Sequence, residues 1–187
     1  MRIISGFLKG KKIDFLKSTT TRPLRDFVKE SIFNVMQHST LINVSLDSAN
    51  VLDLYSGVGS FGIECISRGA KKISFVESDS KALIVLKKNL EKLNVEKKSN
   101  VFGKKIISFL DRLDIDIKYE IFFLDPPFSE NFFLEDLKMI KKSNIFKKNH
   151  IIIIHREYKS QDDTSGVINI IATKKYGRSK VIFGSLA

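Results

Sequence analysis

Short apolar runs alternate with helical patterns through the middle of the chain. Five runs have strand length, the third of them weak, and lie at residues 51–54, 73–76, 100–102, 121–124 and 151–154. Between them, residues 61–67 and 82–93 carry apolar side chains at helical spacing. Because buried strands that alternate with helices are typical of a parallel sheet covered on both faces, the pattern predicts an α/β fold.

The N-terminal part departs from this alternation. Residues 2–5 and 11–15 predict the two short strands of a hairpin. Pro23 suits the first turn of a following helix, whose apolar face contains Val28, Ile32, Val35 and Met36. A polar segment then places a boundary between an N-terminal hairpin-helix extension, 1–48, and the main domain, 49–187.

The C-terminal part also departs from it. Residues 167–173 and 181–186 have strand-like composition, and only residues 174–180 separate them. A helix does not fit in that gap, so the two runs predict an antiparallel pair that closes the sheet. The prediction is therefore a Rossmann-like α/β domain with seven strands, mostly parallel, and helices on both faces.

A glycine-rich turn follows the first strand of this domain. Gly57, Gly59 and Gly62 give the spacing G-x-G-x-x-G between a predicted strand and a predicted helix. Glu77 ends the next predicted strand, where an acid can accept hydrogen bonds from ribose hydroxyls. This arrangement predicts a nucleoside-binding site.

Asp53 bears on which nucleoside is bound. A dinucleotide places its pyrophosphate at the helix N-terminus, where a carboxylate four residues before Gly57 would repel it. S-adenosylmethionine (AdoMet) carries an ammonium and a sulfonium instead, and an acid attracts both. Asp53 therefore favours AdoMet over NAD. The simpler alternative is that the glycines only shape a tight turn, which Asp53 caps.

The candidate catalytic residues Asp125, Pro126, Pro127 and Phe128 follow the apolar run 121–124. Since parallel strands end at one edge of a sheet, this segment and the glycine turn are expected at one pocket. The Asp125 carboxylate and the Pro126 carbonyl suit the two N–H donors of an exocyclic amine on a base. Phe128 suits stacking on that base. The simpler alternative is a rigid turn whose acid caps a helix.

The chain is strongly basic, with 32 Lys and Arg against 21 Asp and Glu and a formal net charge of +11. This excess suits a nucleic-acid partner. Charge alone does not distinguish that partner from a lysine-rich surface that only solvates the protein. Candidates for contacts to RNA phosphates in the N-terminal segment are Arg2, Lys9, Lys11, Lys12 and Lys17.

The cysteine count and the length of the apolar runs indicate the cellular compartment of the protein. A single cysteine, Cys65, excludes an intramolecular disulfide and suits a reducing compartment. The apolar runs are too short to span a bilayer, and the N-terminus lacks the apolar stretch of a signal peptide. We expect a soluble, cytoplasmic protein with no membrane or metal partner. The sequence does not give the oligomeric state, for which a monomer is the expectation.

Several segments resemble one known family, the RsmD family of bacterial 16S rRNA (guanine-N2)-methyltransferases, within the class I AdoMet-dependent methyltransferases. The segments are MRIISGFLKGKKI at the start, TRPLRDFVKESIFNVM at 21–36, VLDLYSGVGSFGIECISRGA at 51–70, FVESDSKA at 75–82, FFLDPPF at 122–128 and YGRSKVIF at 176–183. They are spread over nearly the whole chain. DPPF is shared with DNA adenine methyltransferases, so the N-terminal and glycine-turn segments carry the specificity of the resemblance.

The resemblance implies a seven-stranded sheet of order 3-2-1-4-5-7-6 with a hairpin-helix extension. It also implies methyl transfer from AdoMet to the N2 amine of a guanine in small-subunit rRNA, either free or within the 30S particle. Residues 125–128 are then the catalytic segment. The implied cofactor-binding residues are Asp53, Tyr55, Gly57, Gly59 and Glu77, together with Arg22 and Pro23 near the pocket.

The chain departs from the family pattern at two positions. Lys105 stands where family members commonly have an acid near the adenine, so a backbone N–H is expected there, or Lys105 turned outward. His155 stands where relatives often have Glu, and we expect a satisfied strand-end residue rather than a catalytic one. Cys65 is expected to pack in the core.

Two other functions fit the sequence. An N6-adenine methyltransferase of DNA or RNA would use the same segment 125–128, although a DNA enzyme usually needs an additional recognition domain. A nucleic-acid-binding protein with a degenerate cofactor site would account for the basic charge and for Lys105.

Overall fold

The computed structural model describes residues 1–16, 24–111, 117–127 and 132–187. A short 3-10 turn, Glu96–Lys98, precedes the third strand. The helices and strands of these residues are α1 (Asp26–His38), β1 (Asn50–Leu54), α2 (Ser60–Ser67), β2 (Lys72–Glu77), α3 (Ser80–Lys92), β3 (Ser99–Gly103), α4 (Ile106–Leu110), β4 (Tyr119–Leu124), α5 (Phe133–Ser143), β5 (Phe146–Glu157), β6 (Ile168–Tyr176) and β7 (Ser179–Leu186).

These strands form one seven-stranded sheet of order β3-β2-β1-β4-β5-β7-β6. The first five in that order are parallel to one another. β7 is antiparallel to both β5 and β6. The α/β fold, the closing antiparallel pair and the strand order are therefore all confirmed.

β5 is longer than the sequence pattern indicates. It has 12 residues, against the four apolar residues of the predicted run 151–154. Residues 147–149 of its first half are exposed, and its pairing with β4 shifts register between Tyr119 and Ile121. Because that half is polar and solvent-facing, only the buried part of the strand carries an apolar signal.

The helices cover the two faces of the sheet and bury separate apolar layers. α1, α2 and α3 pack on the face that contains Val51, Phe75 and Ile121. α4 and α5 pack on the opposite face, against Leu52 and Phe122. Cys65 is fully buried in the first layer, as expected. None of the helices in the described part of the chain is long and apolar enough to cross a bilayer.

The N-terminal hairpin is smaller than predicted. In place of two strands at 2–5 and 11–15, a single antiparallel bridge joins Arg2 to Lys12. Its two sides are joined by three backbone hydrogen bonds, from Ile3 N–H to the Lys11 carbonyl, from Gly10 N–H to the Ile3 carbonyl and from Ile13 N–H to the Met1 carbonyl. The N–H groups of Ile4 and Ser5 donate to Glu64 in α2 instead, so the pairing does not extend into longer strands. The first helix begins at Asp26, and Pro23 lies outside the described residues.

The hairpin turn contacts the last residue of α2. The backbone N–H of Phe7 donates to the Ser67 carbonyl at 2.9 Å, and that of Leu8 donates to Ser67 Oγ at 3.0 Å. A Cβ on Gly6 would lie 1.8 Å from the Ser67 carbonyl oxygen, so the close approach requires glycine. The apolar residues of the extension pack in the same core as the sheet, while the boundary near residue 48 stays a prediction.

A buried lysine joins α1 to the N-terminal segment and to α2. The Lys29 and Glu64 side chains have no exposed surface, and Lys29 Nζ lies 3.5 Å from Glu64 Oε2. Lys29 Nζ also donates to the Arg2 carbonyl at 3.0 Å and to Ser60 Oγ at 3.2 Å. Burial lowers the pKa of Lys29 and the Glu64 charge opposes that shift.

Glu64 is the centre of this buried network. Its two oxygens accept the backbone N–H groups of Ile4 at 2.8 Å and Ser5 at 2.9 Å. Arg68 Nε donates to it at 2.8 Å, and the Arg68 guanidinium lies 4.3 Å from the centre of the Phe33 ring. One carboxylate thus connects the extension to the helix that follows the glycine turn.

Replacing Glu64 with Ala should therefore destabilise the fold severely. The change leaves the buried Lys29 charge without its counter-ion and two backbone N–H groups without acceptors, for a loss of roughly 3–5 kcal/mol. Urea denaturation measures the loss. The matched control is Glu135→Ala, whose carboxylate makes an exposed pair with Lys138 and should cost about 0.5 kcal/mol or less. Equal losses in the two variants would contradict the role given to Glu64.

Candidate active site

The candidate site lies where β1 and β4 end side by side. The two strands pair in parallel, with Leu54 opposite Leu124. The backbone N–H of Asp125 points to the Leu54 carbonyl at 3.5 Å. α2 follows β1 on one face of the sheet and α5 follows β4 on the other, so a crevice opens between the two connections. The glycine turn and segment 125–127 therefore meet at one edge, as predicted.

Asp53 supports the glycine turn from beneath. Its side chain is buried, and Oδ2 accepts the backbone N–H of Gly62 at 2.9 Å. A Cβ on Gly62 would lie 2.3 Å from the Phe75 ring and 2.9 Å from this same oxygen. Glycine at position 62 is what lets the helix start this close to the strand. The interpretation of Asp53 as the acid that caps the turn thus describes an observed contact.

Glu77 holds the turn from its other side. It accepts the backbone N–H of Gly57 at 2.7 Å and those of Ser78 and Asp79 at 2.8 Å each. A carboxylate has about four lone-pair positions, so one is left for a ribose hydroxyl. Asp79 in turn caps α3 by accepting the N–H of Ala82 at 2.7 Å.

The turn between these acids contains three residues with positive φ. Gly59 has φ +87°, and a Cβ there would lie 2.5 Å from Leu86 Cδ1. Gly57 has φ +54° with no atom within 4 Å of its Cβ position, so this side of the turn is open to a ligand. Tyr55 has φ 57°, a strained value for a non-glycine residue. Its hydroxyl donates to Asp136 Oδ2 in α5 at 2.5 Å.

Asp125 is held by His155. His155 Nδ1 lies 2.8 Å from Asp125 Oδ1, and both side chains are largely buried. In the tautomer that carries its proton on Nδ1, His155 donates to Asp125 Oδ1. Oδ2 of Asp125 makes no hydrogen bond with a residue that the structure describes, so it can accept one from a substrate.

Pro127 is held by Arg156. Arg156 Nη1 donates to the Pro127 carbonyl at 3.1 Å, although the arginine side chain has no exposed surface. The same guanidinium donates to both carboxylate oxygens of Asp162, at 2.9 and 3.2 Å, and stacks 4.7 Å from the centre of the Phe133 ring. Phe133 begins α5, so Arg156 contacts the chain on both sides of the undescribed residues 128–131.

Asp162 is the counter-ion of this buried arginine. Burial alone would raise the pKa of Asp162, but hydrogen bonds from Arg156 and Ser160 and the charge of Lys180 together lower it. Ser160 Oγ donates to Asp162 Oδ2 at 2.6 Å. The ionised carboxylate therefore keeps the guanidinium in place beneath segment 125–127.

The family of the chain follows from comparison with known proteins. The family model described as Conserved hypothetical protein 95 matches residues 1–185. The chain belongs to this family, which is the RsmD family. This agrees with the resemblance seen in the sequence.

Two relatives and one solved structure illustrate the match. The chain is 33% identical to Ribosomal RNA small subunit methyltransferase D of Haemophilus influenzae, over 84% of this chain and 79% of that protein. It is 32% identical to Putative rRNA methyltransferase YlbH of Bacillus subtilis, over 97% and 96%. The structure of putative methylase HI0767 from Haemophilus influenzae superimposes with a TM-score of 0.78 at 28% identity, over 100% and 98%. The α/β fold is therefore the Rossmann-like methyltransferase fold.

The carboxylates of Asp53, Glu77 and Asp125 make the site acidic. Burial, with the negative charges of Asp125 and Glu77, raises the pKa of Asp53 well above its ordinary value, against the hydrogen bond from Gly62. Such a cluster attracts a cation and repels a pyrophosphate. With the open side of Gly57, the residues present fit a cationic nucleoside such as AdoMet. No group of three or more His, Cys, Asp or Glu in the described residues is placed to hold a metal ion.

Some predicted site residues are not placed by the structure. Arg22, Pro23 and Phe128 lie outside the described residues, as does Lys17. Lys105 is described, and it is exposed at the start of α4. Its outward position matches one of the two expectations for it.

Sequence reasoning underestimated His155 and missed Arg156. His155 was expected to be a satisfied strand-end residue and does make a hydrogen bond, but its partner, the candidate catalytic Asp125, was not predicted. The parallel runs 121–124 and 151–154 contained a signal for this, because aligning them places position 125 beside position 155. An arginine directly after a strand as apolar as β5 was a second signal, since an arginine is rarely fully buried unless paired.

Replacing Arg156 with Lys should loosen segment 125–127. Lysine keeps the charge but not the planar fork that serves Asp162 and Pro127 together, and we expect a loss of about 2–4 kcal/mol of unfolding free energy. Chemical denaturation provides the measurement. Arg2→Lys is the matched control, because that side chain is 72% exposed and should change stability by about 0.5 kcal/mol or less. A neutral effect at position 156 would show that the network does not brace the segment.

Asp53→Asn should change how thermal stability depends on pH. Folding raises the pKa of Asp53, so the wild type loses stability as the pH rises from about 4 toward the folded pKa, whereas asparagine does not titrate. The melting temperature of the variant minus that of the wild type should therefore increase between about pH 4 and pH 8. Each kcal/mol corresponds to about 2–4 °C for a domain of this size. A difference that shrinks with rising pH, measured by scanning calorimetry, would oppose the assignment.

Proposed function

We propose that the protein transfers the methyl group of AdoMet to the exocyclic N2 amine of a guanine in 16S rRNA. One observation carries the proposal. A glycine turn held by two carboxylates, Asp53 and Glu77, meets a rigid Asp-Pro-Pro segment that adds a third at the same edge of the sheet. The names of the relatives support rRNA methylation in general.

The acids of the glycine turn are proposed to bind AdoMet, which supplies a methyl group on a sulfonium. Asp53 holds the Gly62 N–H and so sets the shape of the turn around the cofactor, while the remaining lone pair of Glu77 accepts a ribose hydroxyl. Tyr55, Gly57 and Gly59 shape the wall that the nucleoside contacts. These residue roles are proposals that follow from the contacts.

Asp125 and Pro126 are proposed to hold the amine. Oδ1 of Asp125 is engaged by His155, which leaves Oδ2 to accept one N–H of the amine. The carbonyl of Pro127 accepts a hydrogen bond from Arg156, whereas that of Pro126 accepts none from a described residue and is proposed to accept the other N–H. Two acceptors aim the nitrogen lone pair at the methyl group. The nitrogen would form its bond to the methyl carbon as the carbon–sulfur bond of the sulfonium breaks and a neutral thioether leaves. Because the amine would lose its proton to solvent only afterwards, no strong base is needed first.

Guanine and 16S rRNA rest on the family resemblance rather than on the geometry. The same two acceptors would hold the N6 amine of adenine equally well, so the segment 125–127 sets the reaction but not the base. Phe128 is proposed to stack on the base once it leaves its helix. Arg22 and Pro23 are proposed to lie near the pocket.

The decisive experiment is methyl transfer to small-subunit particles. The protein is incubated with methyl-labelled AdoMet and 30S particles from cells that lack the enzyme, and in parallel with free 16S rRNA, and labelled nucleosides are identified. We expect label in N2-methylguanosine. Label in N6-methyladenosine would replace guanine by adenine. No transfer to either RNA would leave a nucleic-acid-binding protein.

The same assay tests Asp125. Asp125→Asn keeps the shape of the side chain but replaces one acceptor oxygen by a donor, so kcat should fall about 10²-fold or more while AdoMet affinity changes little. The matched control is Asp111→Asn at an exposed site, which should leave both quantities as in the wild type. Full turnover by Asp125→Asn with saturating AdoMet would remove Asp125 from the mechanism.

A further inference from the structure

The turn between β6 and β7 extends beyond the edge at which the candidate site lies. β7 pairs with β5 so that Val181 lies opposite His155 and Ser179 lies opposite Glu157. Because His155 contacts Asp125 and each strand residue advances about 3.3 Å, the turn begins only about 7 Å along the sheet from that contact. We call residues 174–180, with Tyr158 and Phe27, the hairpin-tip surface.

Positive charge is concentrated on this surface. Between positions 174 and 180, four of seven residues are Lys or Arg and none is acidic. Lys174, Lys175 and Arg178 are exposed. Lys180 donates to the Ser160 carbonyl at 2.6 Å, which fixes it at the rim of the surface. The neighbouring exposed acid in β5 is Glu157, so the positive charge dominates.

Aromatic rings lie among these cations. Phe27 of α1 is 67% exposed, and its ring makes an edge contact with Tyr176 at 5.8 Å. Tyr158 is 45% exposed, with Lys175 Nζ 3.8 Å from its ring centre. Burial raises the pKa of Tyr176 against a hydrogen bond with Ser31, so α1 also braces the turn. Because successive residues of β6 point to opposite faces, Phe27 with Tyr176 and Tyr158 with Lys175 lie on the two sides of the turn. Exposed rings beside cations suit a single nucleic-acid strand that passes around the turn, which offers bases to stack and phosphates to pair.

Lys9, one of the N-terminal basic residues, has a different relation to the site. The hairpin turn at 6–8 contacts Ser67 at the end of α2. α2 runs back from the glycine turn, so its end lies at the opposite edge of the sheet, where Lys71 N donates to the Ala49 carbonyl just before β1. Lys9 therefore lies away from the candidate site, whereas the hairpin-tip surface is beside it.

We propose that the hairpin-tip surface binds the single-stranded RNA that flanks the target base, pairing phosphates with Lys174, Lys175 and Arg178 and stacking bases on Phe27 and Tyr158. The proposal rests on the proposed function and adds where the substrate is held. RNA bound there presents the adjoining nucleotide to segment 125–127, because both surfaces lie at one edge.

The test compares two triple variants with the same change in charge. The tip variant carries Lys174→Gln, Lys175→Gln and Arg178→Gln. The control carries Lys141→Gln, Lys142→Gln and Lys148→Gln, which are exposed at the opposite edge near the start of β5. Binding to unmethylated 30S particles and to free 16S rRNA is measured over a range of salt, with KM, kcat and AdoMet affinity.

In the tip variant, the dissociation constant and the KM for RNA should be about 10–100-fold higher than in the wild type at low salt. Its AdoMet affinity and its kcat at saturating RNA should stay within about twofold of the wild type. Its plot of log affinity against log salt should be shallower by about 2, since each phosphate contact to a single strand contributes about 0.7. The control variant should stay close to the wild type in slope and in KM.

Single variants test the stacking separately. Phe27→Leu and Tyr158→Leu should weaken RNA binding, by about 5–100-fold for a lost stacking contact, without changing the salt slope. If the tip variant behaves like the control variant while the wild type methylates rRNA, the inference is wrong. If the wild type methylates no RNA, the proposed function fails instead. Altered binding of the tip variant in that case would still support the surface.

Discussion

The parallel pairing of β1 with β4 is the constraint on which the candidate site depends. It places Leu54 beside Leu124, so the acid-lined glycine turn and Asp125 leave the sheet at one level. The helices that follow lie on opposite faces, which opens the crevice between them. A shift of one residue in this register would turn every side chain of β4 to the other face and separate the two loops.

Two buried arrangements of charge brace the loops at that crevice. Lys29 and Glu64 fix the start and middle of α2, which follows the glycine turn, while Arg156 and Asp162 fix the carbonyl of Pro127. Buried ion pairs contribute little net stability, because desolvation offsets much of their attraction. Here the two ion pairs fix the positions of the loops that they contact. Residues 155 and 156 are adjacent in β5 and point to opposite faces, so Asp125 and Pro127 are held from both sides of the sheet.

The sequence was sufficient for the features that local patterns encode. Apolar periodicity located the strands, and the glycines with Asp53, Glu77 and Asp125 located the two loops. The contacts of His155 and Arg156 were not predicted, because each joins residues about thirty positions apart, and the strand runs alone do not give their relative register. The N-terminal hairpin was overestimated for the opposite reason. Its local pattern suited two strands, but the N–H groups of Ile4 and Ser5 donate to Glu64 of α2 instead of continuing the pairing.

The distribution of charge suggests how a basic protein with an acidic pocket can act on RNA. The net charge of +11 attracts a polyanion from a distance, whereas Asp53, Glu77 and Asp125 make the crevice itself unfavourable for a phosphate. A base turned out of its helix is uncharged and presents an amine to those carboxylates, so it can enter where its backbone cannot. The same acids favour a cationic cofactor. In the proposed arrangement, the cations of the hairpin-tip surface bind the phosphates that flank the target nucleotide, and the carboxylates at the strand ends receive its base.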